Sequence, residues 1–188
     1  MALIQATIYE GEAMLGIYKK IITTGLLTEK FARDKSVPRL GEPEADELGG
    51  RLKATIDQCF AGSLHIRQVD AGSCNGCELE IHALNNAYYD IERFGVHFVA
   101  SPRHADVLLV TGPVSRHMEA ALRRTYEATP NPKWVIAVGD CGACGGEFGV
   151  SYASCGAVAN VIPVDAVITG CPPTPLDLMR GILNLCSR

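Results

Sequence analysis

Three short apolar runs, set apart by stretches of helical spacing, constrain this chain more than any other feature. They are ADVLLVT (residues 105–111), KWVIAVG (133–139) and VDAVITG (164–170). Runs that stay apolar through their middle suit strands buried on both faces, as in parallel sheets covered by helices on each side. LHIRQVD (64–70) alternates like a strand, and VHFVA (96–100) is another. CELEIHALNNAYY, from Cys77, has helical spacing. RHMEAALRRTYEA (116–128) predicts a helix stopped by TPNP, and PLDLMRGILNLC (175–186) predicts a closing helix with Pro175 in its first turn. Strands alternating with helices predict an α/β fold built on a doubly wound parallel sheet.

Residues 1–60 read differently from residues 61–188, and the chain divides there into an N-terminal helix with a linker arm and a folded domain. Met14, Ile17, Tyr18, Ile21 and Ile22 lie at helical spacing with Lys19 and Lys20 on another face, which gives an amphipathic helix. RDKSVPRLGEPEADELGG, residues 33–50, is rich in charge, Pro and Gly and reads as an extended linker. The helix suits a packed surface position, a partner protein or a membrane surface.

At 188 residues with 47% hydrophobic content and a mean hydropathy of +0.12, the chain can bury one sizeable core. A net charge of −4 and a pI near 5.7 argue against nucleic-acid binding, which needs clustered Lys and Arg. MALIQATIYEGEAML has neither the apolar run of a secretion signal nor a twin-arginine pair. Eight cysteines are therefore expected in a reducing compartment, where they mean metal or redox chemistry more often than disulfides. With no run of about 18 apolar residues, no membrane span is expected.

Sites in open α/β sheets lie beyond the carboxyl ends of the strands. Cys74 and Cys77, in DAGSCNGCELE, follow the strand 64–70. Cys141, in GDCGACGGEF, follows 133–139, and Cys171, in TGCPPTP, follows 164–170. Four thiols from three strand ends at one sheet edge suit a 4Fe–4S cluster. A redox dithiol accounts for Cys74 and Cys77 alone. Zinc on Cys74, Cys77, Cys141 and Cys144 leaves GCPP unused and needs widely separated pairs. Spacing favours iron–sulfur without deciding the matter.

Those motifs, with SPRHADVLLVTGPV and VIPVDAVITGCPPTP, resemble the small subunit of membrane-associated, energy-converting nickel–iron hydrogenases of the formate hydrogenlyase type. They are also similar to the cluster-bearing subunit of NADH:quinone oxidoreductase. The resemblance runs over roughly residues 60–186. It implies a flavodoxin-like sheet with one 4Fe–4S cluster at its carboxyl edge, ligated by Cys74, Cys77, Cys141 and Cys171, Cys141 being favoured over Cys144. It further implies electron relay between a nickel–iron large subunit and a ferredoxin-like iron–sulfur subunit. The complex would include integral membrane subunits and sit peripherally on the cytoplasmic face. The separated pair in Cys74-Asn-Gly-Cys77 fits the hydrogenase branch, whereas the quinone-reducing branch carries adjacent cysteines and is the alternative. A scaffold with a structural cluster is a non-enzymatic alternative.

Several further residues carry expectations. Glu78 and Glu80 follow the first pair, as proton relays, partner contacts or carboxylates favoured by a helix N-terminus. Glu80 also matches an acidic position in the quinone-reducing relatives. Arg103 and His104 are expected near the cluster edge or in a loop cap. Arg116 and His117 begin a helix that faces a partner or solvent. Cys59, Cys144, Cys155 and Cys186 read as buried small hydrophobes.

Overall fold

The computed structural model describes residues 18–20, 22–24 and 43–187. The chain separates into two units, residues 1–39 and 40–188. In the first, the described residues are helical, and Tyr18 and Ile22 are exposed. Met14, Ile17, Ile21 and the first part of the expected linker lie outside the described residues.

The second unit opens with a helix where an extended linker was expected. Helix α1, Pro43–Cys59, buries Ala45, Leu48, Gly49, Leu52 and Ile56. That spacing is helical, and the Pro, charge and Gly-Gly content obscured it. Gly49 is a packing residue, because a Cβ there would come within 2.2 Å of the Phe94 ring. Burying Leu48, Leu52 and Ile56 stabilises by roughly 1.5–3 kcal/mol each. Two glycines in a helix cost about 1 kcal/mol each, so burial wins. The boundary read at residue 60 therefore cuts off a helix that packs into the core.

Seven strands follow: β1 (Leu64–Asp70), β2 (Val96–Phe98), β3 (Val107–Thr111), β4 (Val114–Ser115), β5 (Trp134–Val138), β6 (Ser154–Gly156) and β7 (Ala166–Ile168). Five of them form one sheet in the order β2-β1-β3-β5-β7, all parallel. Numbered within the sheet this is 2-1-3-4-5, the flavodoxin-like order. The short β4 and β6 pair separately as an antiparallel ribbon that the sequence reading missed. The remaining helices are α2 (Gly76–Ala83), α3 (Arg116–Ala128), α4 (Gly139–Cys144) and α5 (Pro175–Cys186).

Each face of the sheet has its own core. Leu64, Ile66, Leu109 and Ile136 pack with Leu52 of α1, Ile81 of α2 and Leu178 of α5. Val69, Leu108, Val110 and Val135 pack on the other face with Leu122 of α3. Helix α5 starts at a capping box, in which Thr174 accepts from the Asp177 backbone and Asp177 reaches back. Only residues 99–106, with one 3₁₀ turn at Pro102–His104, connect β2 to β3.

Register is pinned at the amino edge by two carboxylates. Asp106 precedes β3 and accepts the His65 N–H of β1 at 2.9 Å. Asp165 precedes β7 and accepts the Val135 N–H of β5 at 2.8 Å. The ladders then bring four strands to a flush end, with Asp70 opposite Thr111, Thr111 opposite Val138, and Val138 opposite Ile168.

Candidate metal centre

The cysteines lie just beyond that flush row. Cys141 and Cys171 are each three residues past their strand's last residue, and Cys74 is four past Asp70. Short overhangs from aligned ends, with one turn of helix to Cys77, bring Cys74, Cys77, Cys141 and Cys171 around one cavity of about 170 Å³. Pro113, Phe148 and Pro172 complete its wall. Cys144 does not line it; its thiol contacts the Asp140 carbonyl at 3.2 Å. Among the described residues no three His, Cys, Asp or Glu side chains converge to hold a single metal ion. The thiols surround a volume instead.

Each loop is fixed by hydrogen bonds that follow from its sequence. The Asp70 carboxylate accepts the Gly72 and Ser73 N–H groups at 2.8 and 2.9 Å, an Asx-type turn that starts the first loop. Ser73 Oγ accepts the Asn75 N–H at 3.1 Å, and Asn75 leads into α2 with a φ of 73°. The β5 and β7 loops are clasped together: the Asp140 N–H donates to the Gly170 carbonyl at 3.0 Å, and Asp140 Oδ1 accepts the Gly170 N–H at 2.9 Å. Gly139 adopts a φ of 78°, and a Cβ there would sit 2.8 Å from Cys77 Sγ. The thiol occupies the space that a side chain would take.

Asp140→Ala removes one strut of the clasp between Cys141 and Cys171. A hydrogen bond to a charged group is worth roughly 1.5–3 kcal/mol, so thermal unfolding should show a loss of that order. Asp140→Asn keeps an acceptor and should lose less. Equal stability of all three proteins would disprove the clasp.

The thiols face one another closely enough to resist ionising together. Burial, then Glu78, then Cys74, Cys141 and Cys171 push the Cys77 thiol up to about 11. The Cys141 thiol is raised by burial first, then by Cys171 and Cys74.

Glu78 is only 4% exposed. Ser73 Oγ donates to its Oε2 at 2.6 Å, and Thr111 Oγ1 donates to its Oε1. Glu80 is half-buried on α2. Arg103 and His104 are exposed in the 3₁₀ turn, which Ser101 caps, and neither lines the cavity. Arg116 and His117 are exposed at the start of α3. Cys155 and Cys186 are buried, but Cys59 and Cys144 are exposed, against the expectation for both. Cys59 ends α1 and Cys144 ends the short α4, where neither is covered.

Sequence reasoning overlooked Thr111, Asp140 and Phe148. A polar residue at a buried strand's carboxyl end, an acid directly before a ligand candidate, and a Phe in GGEFG were the available signals. Phe148 is 67% exposed while lining the cavity, and Leu79 of α2 is 61% exposed.

Residues 74–185 match the family model described as NADH ubiquinone oxidoreductase, 20 kDa subunit. The chain belongs to this family. It is 43% identical over 136 residues to formate hydrogenlyase subunit 7 of Escherichia coli, which covers 72% of this chain and 53% of that protein. The chain thus spans about half the length of that relative. It is 48% identical over 136 residues to the probable membrane-bound hydrogenase subunit mbhJ of Pyrococcus furiosus, covering 71% of this chain and 81% of that one. Among solved structures, a chain of the membrane-bound sulfane sulfur reductase, an archaeal respiratory membrane complex, matches with a TM-score of 0.59 at 39% identity. The match covers 66% of this chain and 69% of that chain. The family is described as an oxidoreductase subunit, and the two relatives are named as subunits of formate hydrogenlyase and of a membrane-bound hydrogenase. No described helix is long and apolar enough to cross a membrane.

Proposed function

We propose that this chain is the electron-relay subunit of a membrane-associated nickel–iron hydrogenase, holding one 4Fe–4S cluster on Cys74, Cys77, Cys141 and Cys171. The observation that carries this is the convergence of four thiols from three strand ends on one cavity. The residues fit such a group: an all-thiol donor set is what cubane clusters take, and Gly139 leaves room beside Cys77 for its sulfur. The cluster supplies one-electron transfer. The chain's own residues orient the thiols, and Phe148, Pro113 and Pro172 supply an apolar wall beside them. Low water access and N–H groups near sulfur tune a cluster's potential.

Electrons pass between a nickel–iron large subunit and a ferredoxin-like iron–sulfur subunit, within a complex anchored by integral membrane subunits. This chain sits peripherally, on the cytoplasmic face. Exposed Leu79 and Phe148 beside the cysteines support a docked protein over that edge. Glu80 lies on α2 close to this edge and is a contact for the docked subunit, whereas Arg103 and His104, away from the cavity, serve a different surface.

The family's quinone-oxidoreductase name favours a second reading, the cluster-bearing subunit of a NADH (or ferredoxin):quinone oxidoreductase, which has no nickel. Metal analysis of the intact complex separates them. About one nickel per copy of this chain is expected, and a complex lacking nickel overturns the hydrogenase reading while leaving the cluster assignment standing.

A further inference from the structure

Among the described residues, Glu78 is the one buried carboxylate at the cysteine-bearing edge. It lies on the first turn of α2, directly after Cys77, and 4% of its surface is exposed. Its two oxygens face different elements. Oε2 takes the Ser73 hydroxyl, in the loop that carries Cys74, and Oε1 takes the Thr111 hydroxyl, at the end of β3. The Thr111 hydroxyl lies farther, 3.4 Å, from the Val69 carbonyl, so its proton is directed to Glu78. Ser73 accepts from the Asn75 N–H, which leaves its own proton for the carboxylate.

Buried polar groups are costly unless fully hydrogen-bonded, and a buried charge more so. A carboxylate that accepts two hydroxyl hydrogen bonds and sits on the first turn of a helix meets that requirement. An uncharged side chain of the same shape would fill this position at less cost. The charge therefore has a use.

Resting on the 4Fe–4S reading, we propose that Glu78 is a positioning residue that ties the Cys74–Cys77 loop to β3 and places a fixed negative charge beside the cluster, lowering its reduction potential. Adding an electron to the cluster next to a buried anion is disfavoured, because the interior screens the repulsion weakly. The ligand loop and the charge are set by one side chain, so position and potential are coupled through it.

The test is an EPR-monitored redox titration of the full chain in its complex, comparing wild type with E78Q, E78D and T111V. E78Q keeps an acceptor for Thr111 and a donor for Ser73 while losing the charge. It should retain wild-type iron content and line shape with a midpoint potential shifted upward. T111V keeps the charge and loses one tie, so it should release iron to a chelator faster, with a potential no higher than wild type. E78D keeps the charge and should keep a potential no higher than wild type. An unchanged midpoint in E78Q with an intact signal overturns the proposal. Should E78Q fail to hold its cluster, a raised potential in E78D or T111V overturns it instead. Absence of any 4Fe–4S signal in the wild-type complex is a different failure, which removes the cluster reading on which this one stands.

Discussion

Cys171→Ser is expected to abolish the 4Fe–4S EPR signal of the reduced chain, and Cys144→Ser to leave it intact. Cys171 lines the cavity from the β7 loop, and Cys144 does not line it, although it lies three residues after Cys141, which does. A serine hydroxyl is a harder and poorer ligand than a thiolate, and three thiolates cannot complete a four-cysteine set. The pair of variants also tests zinc. A zinc site on the two CxxC pairs would depend on Cys144 and ignore Cys171, giving the opposite result. A normal cluster in Cys171→Ser would overturn the ligand assignment.

The second large effect lies far from the cysteines. Leu52→Ala, in the middle of α1, is expected to lower the unfolding free energy by about 2–5 kcal/mol, as Leu-to-Ala changes in cores do. Leu52 is completely buried and packs with residues of the sheet, α2 and α5. The same change at an exposed position, Lys53→Ala, should cost a few tenths of a kcal/mol at most, since its pair with Asp57 is a surface contact of 3.5 Å. Denaturant unfolding of the full chain measures both. Near-wild-type stability of Leu52→Ala would mean that α1 is an attachment and not part of the core.

That helix also shows where the sequence stopped being legible. The sheet strands are readable because ADVLLVT, KWVIAVG and VDAVITG stay apolar through their middle, while LHIRQVD alternates as a strand with one covered face does. The positions of the four cysteines follow once those strands are placed. Helix α1 was hidden because Pro43, Gly49 and Gly50 are breakers by propensity, and only the Phe94 ring, met through folding, gives Gly49 a reason to be small. Thr111 is similar. Its side chain gains a role from Glu78, 33 residues away, and neither residue carries a local signal of the other. The β4–β6 ribbon escaped notice because strands of two and three residues have no period to read. The exposure of Cys59 and Cys144 depends on which helix ends are covered, which composition does not encode.

The carboxylates of Asp106 and Asp165 lie at the sheet's amino edge, a full strand length away from the thiols. They act as the zero mark of a ruler. Strands advance about 3.3 Å per residue, and a slip of one residue turns every side chain to the opposite face. A one-residue error at either carboxylate would carry a cysteine-bearing loop up or down by that distance, more than a metal–sulfur bond length of about 2.3 Å. Changes at Asp106 or Asp165 would then be read out at the opposite end of the sheet, as altered metal retention, with every cysteine still in place.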